Sequence, residues 1–67
     1  MIEVTRLNGT NIMINADMIE MVEETPDTVI TLNTGKKIIV KESCREVKKL
    51  VVLYKKSLNS FDEKSEI

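Results

Sequence analysis

Sixty-seven residues with 42% hydrophobic and 31% charged side chains describe one small soluble domain. A chain of this size buries only about 60% of its unfolded surface, so its stability is marginal without careful patterning or association. One cysteine and no histidine exclude an internal disulfide and any His-rich or multi-Cys metal centre. The longest apolar run, Leu50 to Tyr54, is far too short to span a bilayer, and Met1-Ile2-Glu3-Val4 lacks the basic and apolar regions of a signal peptide. A cytoplasmic, reduced location is expected.

The first 41 residues read as five short strands. Ile2 to Arg6 alternates apolar and polar, the mark of a half-buried strand. Asn8-Gly9 then suggests a type I′ hairpin turn, in which both central residues take positive φ. Asn11 to Asn15 returns with Ile12 and Ile14 on one face and Met13 on the other. After the polar break Asn15-Ala16-Asp17, residues 18–23 give a third strand with Ile19 and Met21 inward. Thr25-Pro26-Asp27 is a turn, where Pro26 presets φ and Asp27 can bond nearby backbone. Thr28 to Leu32 is β-branched and strand-like. Asn33-Thr34-Gly35 suits a three-residue hairpin loop with Gly35 in the left-handed region. Lys36 to Lys41 closes the set. The segments around Gly9 and Gly35 look like one hairpin chemistry used twice.

The period then changes. Ser43-Cys44-Arg45-Glu46 fits the S-x-x-E capping box, with Ser43 and Glu46 satisfying free N–H groups reciprocally. Val47, Leu50, Val51, Tyr54 and Leu58 fall on one face of a helix predicted from about Cys44 to Ser57. The expected fold is α+β and mostly β: five short antiparallel strands in a meander, curled into a small barrel-like sheet, followed by one C-terminal amphipathic helix. The domain spans 1–58. Residues 59–67 form a polar, frayed tail with Phe61 and Ile67 as its only possible anchors. Met13, Val22, Val29 and Ile39 lie opposite the inward set, and Val52 and Leu53 lie off the helix stripe. A sheet with apolar side chains on both faces either curls into a small barrel with the helix as a lid or meets another copy, and a homo-oligomer is expected.

Charge is unevenly divided. Residues 1–27 carry one cation against six anions, and residues 28–58 carry eight cations against two anions. Part of the basic excess forms a helical stripe: Arg45, Lys49, Val52 and Lys56 lie opposite the apolar stripe, and Lys48 and Lys55 flank them. This is the candidate partner-binding face, and a plain solvated surface is the competing interpretation. Nucleic acid is a poor partner for a chain of pI 5.4 with 3% aromatic residues and no stacking platform. Catalysis is poorly supported without histidine. The acidic pairs Glu20/Glu23 and Glu23/Glu24 read as exposed strand and turn, and Cys44 reads as a small half-buried hydrophobe. No catalytic residue, metal or cofactor is expected.

Several segments occur in an order that resembles a known family. They are Leu7-Asn8-Gly9, Asn15-Ala16-Asp17-Met18-Ile19-Glu20, Glu24-Thr25-Pro26-Asp27-Thr28, Ile30-Thr31-Leu32, Gly35-Lys36 and Val40-Lys41-Glu42-Ser43. Together, over roughly residues 1–55, they resemble the FlbD family of bacterial flagellar and swarming-motility proteins. The resemblance implies a non-enzymatic cytoplasmic protein that supports motor power or swarming through a flagellar motor or stator component. It carries over no catalytic residues. The layout is also similar to that of the CsrA family of dimeric RNA-binding regulators, and Thr5-Arg6 matches that family's opening. There, however, Leu7 replaces a basic residue, the Ala-Pro segment is missing, and Glu42-Ser43 replaces the basic position after the last strand. RNA binding is therefore the alternative function.

Overall fold

The computed structural model describes the backbone of residues 1–66 and the side chains through Ser57. Five strands precede one helix: β1 (Ile2–Thr5), β2 (Asn11–Ile14), β3 (Ile19–Glu24), β4 (Thr28–Leu32), β5 (Lys37–Val40) and α1 (Cys44–Glu66). All strand pairs are antiparallel. β1 and β2 form one sheet, and β3, β4 and β5 form a second in that order. A single bridge between Arg6 and Val40 joins them, supported by the Lys41 N–H donating to the Thr5 carbonyl at 2.8 Å. The strands thus run β2-β1-β5-β4-β3 around an open, barrel-like shell.

Alternation places the core. Ile2 and Val4 of β1, Ile14 of β2, Ile30 of β4, and Ile38 and Val40 of β5 all point inward and are buried. The helix closes the shell with Val47, which is fully buried, and with Leu50, Val51 and Tyr54 packed against the same cluster. Ala16 joins them from a short 3₁₀ turn, Ala16–Met18, whose entry is capped by Asn15: its Oδ1 accepts from the Asp17 N–H at 3.0 Å. The Asn15-Ala16-Asp17 break therefore contributes a buried side chain as well as a change of direction.

Both hairpin loops share one hydrogen-bond pattern. The Gly9 N–H donates to the Arg6 carbonyl and the Arg6 N–H to the Thr10 carbonyl. Gly35 repeats this with Leu32, and Leu32 with Lys36, all four at 2.8 Å. Gly9 and Gly35 have φ of 92° and 93°, and no other residue has positive φ among those described. The type I′ turn expected at Asn8-Gly9 is thus replaced by a longer loop with one left-handed glycine, the form expected at Asn33-Thr34-Gly35. Asn8 keeps negative φ and instead accepts the Thr10 N–H on its Oδ1 at 3.0 Å.

Two further expectations change. In β3 the register shifts between Ile19 and Met21, so strict alternation fails. Ile19 and Val22 pack on the core, while Met21, expected inward, is exposed. Met21 therefore replaces Val22 on the outer face. The helix also continues to Glu66 instead of ending near Ser57. Loss of apolar periodicity does not stop a helix, and no Gly or Pro follows Gly35 to break it. The side chains of Leu58 and Phe61, and Ile67 altogether, lie outside the described residues.

Candidate functional site

Two carboxylates cap the N-terminus of α1, and a third ties the residue before it to β1. Inside the capping box, the Ser43 N–H donates to Glu46 Oε1 at 3.0 Å, and the Glu46 N–H donates to Ser43 Oγ at 3.1 Å. From the end of β3, Glu24 Oε1 accepts the Cys44 N–H at 2.8 Å. Negative charge here also complements the positive end of the helix dipole. Glu42, just before the helix, clamps β1: its Oε1 accepts the Thr5 N–H at 2.8 Å and its Oε2 accepts the Thr5 hydroxyl at 2.9 Å. Burial pushes the Glu42 carboxyl up, but hydrogen bonds from the Thr5 N–H, its own N–H and the Thr5 hydroxyl outweigh this. With Lys41 nearby, the balance leaves it below the usual carboxylate range. Neither contact is legible in the local sequence, because Glu24 and Glu42 reach partners 20 and 37 residues away.

These contacts fix the direction in which the helix presents its outer surface. Arg45, Lys48, Val52 and Lys56 are all exposed, with Lys55 beside them. Lys49 is exposed too, but it sits differently. It lines a shallow, open groove of about 430 Å³ with Glu3, Glu42, Glu46, Leu50 and Leu53. It shares that groove with three carboxylates, whereas Arg45, Lys48, Lys55 and Lys56 lie outside it. Leu53, at the groove rim, is 52% exposed.

The remaining singled-out residues serve structure. Asn8, Gly9 and Gly35 shape the hairpin loops, and Pro26 follows a cis peptide bond in the Thr25–Asp27 turn, where the Thr25 N–H donates to the Asp27 carbonyl. Cys44 is half-buried, with its thiol 3.9 Å from the Val22 carbonyl. The groove carboxylates do not converge: among the described residues no group of three His, Cys, Asp or Glu side chains could hold a metal ion. Also among the described residues, no helix is long and apolar enough to cross a membrane. Two surfaces stand exposed: the basic helix face and an apolar set, Leu7, Met13, Met21 and Ile39, on the strands and the first hairpin loop.

No curated protein and no solved structure matches the chain. Nothing found supports the RNA-regulator alternative. Residues 1–59, which include every strand and the first four turns of α1, match the family described as FlbD, flagellar and swarming motility proteins. This chain belongs to the FlbD family of flagellar and swarming motility proteins.

Proposed function

We propose that this chain is a non-enzymatic cytoplasmic accessory protein that supports swarming by raising flagellar motor power, docking on a motor or stator component. Membership of the FlbD family over residues 1–59 carries this reading. The basic face of α1, with Arg45, Lys48, Val52 and Lys56 exposed on a helix anchored by Glu24, Ser43 and Glu46, is the docking surface. A rigidly held helix with clustered cations steers association with an acidic partner segment and favours register over raw affinity. Val52 gives that face an apolar centre, 47% exposed, of the kind a partner can desolvate. Deleting the gene should abolish swarming and lower the torque of tethered cells while filaments still assemble. A deletion strain with full swarming and full torque would refute the reading.

A further inference from the structure

No element among the described residues covers the outer face of the β3–β4–β5 sheet. Strand register places two cross-strand rows on it. One row is Glu23, Val29 and Ile39, and the other is Met21, Thr31 and Lys37. Met21 and Ile39 are 47% and 45% exposed, and Val29 is half-buried. Beyond the β5 edge, where Arg6 bridges Val40, the hairpin-loop residue Leu7 is exposed too. Of the four corners of this patch, Glu23 on β3 and Lys37 on β5 occupy one diagonal and Met21 and Ile39 the other, with Val29 and Thr31 between them on β4.

We infer that this face is a two-fold interface between two copies of this chain. The charge arrangement selects the occupant and its orientation. A two-fold axis in the face, perpendicular to the Glu23–Lys37 diagonal, sets Glu23 of each copy against Lys37 of the other. Met21, Val29 and Ile39 are then enclosed between two reciprocal ion pairs. An axis parallel to the strands would press Glu23 onto Ile39, and one across them would press Glu23 onto Met21. Each would strip water from an unpaired charge. With the diagonal axis the two sheets cross nearer to perpendicular than to aligned, one of the two modes in which sheets pack. The isologous contact is self-complementary, as a closed dimer requires. Edge pairing of β3 with a second β3 is disfavoured by comparison, because Glu20, Glu23 and Glu24 would bring carboxylates together.

Two three-residue rows per copy make a small contact, and the expected dissociation constant is on the order of 100 μM. Sedimentation equilibrium of the full chain from about 10 μM to about 1 mM spans that value. Its average mass should rise from monomer toward dimer. Ile39→Asp should stay monomeric throughout, and Lys37→Glu should weaken association about tenfold. The double exchange Glu23→Lys with Lys37→Glu should restore association, since it rebuilds both ion pairs with their signs reversed. Circular dichroism checks that each variant is folded. Should Ile39→Asp fail to fold, Met21→Lys on the same face replaces it with the same expectation. A wild-type chain that remains monomeric, an Ile39→Asp or Met21→Lys chain that associates as well as wild type, or a double exchange that fails to restore association overturns the inference. A monomer whose swarming is lost on substitution at Ile39 would assign the face to a different protein and likewise overturn it.

Discussion

Two valines on the same helix separate burial from composition. Val47 is fully buried beneath the shell, and Val52 is 47% exposed on the opposite face. Replacing either with alanine removes the same two methyl groups and raises intrinsic helix propensity equally. At Val47 the lost transfer energy is about 1.6 kcal/mol, from ~0.8 kcal/mol per buried carbon. A residual void of about 50 Å³ at ~24 cal/mol per Å³ adds about 1.2 kcal/mol. Val47→Ala should therefore cost about 2–3 kcal/mol, and Val52→Ala no more than about 0.5 kcal/mol in either direction. For a domain of this length, about 4–8 °C in Tm accompanies each kcal/mol, so Val47→Ala should lower Tm by roughly 10–20 °C. Thermal melts followed by circular dichroism at 222 nm report both variants. Equal losses, or a larger loss at Val52, would mean that the helix does not close the shell through its Val47 face.

Further predictions concern the polar contacts that hold the helix and the turns. Ser43→Ala should cost about 1 kcal/mol through loss of the cap on the Glu46 N–H, measured by urea unfolding. Glu42 is held below its usual value of 4.5 in the folded chain, so the unfolded chain binds more protons near that pH. The stabilisation from its Thr5 clamp is present above the ordinary carboxylate range and is lost as pH falls through the folded value. The urea midpoint of wild type should fall more steeply on acidification than that of Glu42→Gln, and parallel pH profiles would contradict this. Gly9→Ala and Gly35→Ala should each cost about 1–2 kcal/mol and by similar amounts, because both have φ near 92° and neither has an atom within 4 Å of a new Cβ. Backbone conformation alone sets that cost, so Asn at either position should recover part of it.

Much of this fold is legible in local chemistry. The strands, the capping box and the Val47/Leu50/Val51/Tyr54 stripe each rest on a pattern within a few residues. Those patterns survive because the sheet and helix periods coincide with the inward face. The departures have a common origin in contacts that local patterns do not encode. The register shift in β3 exchanges Met21 and Val22 between faces, and nothing within the strand's own alternation signals it. Gly9 shows the limit of a two-residue motif, since Asn-Gly supports either a two-residue turn or the longer loop that also occurs at Gly35. Lys49 belongs to the basic stripe by helical spacing, and the packing of α1 beside β1 also sets it in the groove with Glu3 and Glu42, a neighbourhood that spacing along the helix does not reveal. Family membership was readable from the ordered segments between Leu7 and Ser43. Those segments include both left-handed glycines, the Asn15 cap, and Glu24 and Glu42, which hold the start of the helix and β1.

We propose that the folded chain acts by presenting charge on one helix face to another macromolecule. The most direct test is tethered-cell torque in a deletion strain carrying the Arg45→Glu, Lys56→Glu double variant. Both side chains are exposed and lie outside the Lys49 groove, so the variant should melt as wild type does. The expected result is torque no higher than in the deletion strain despite normal levels of folded protein. Wild-type torque from that variant would contradict the account.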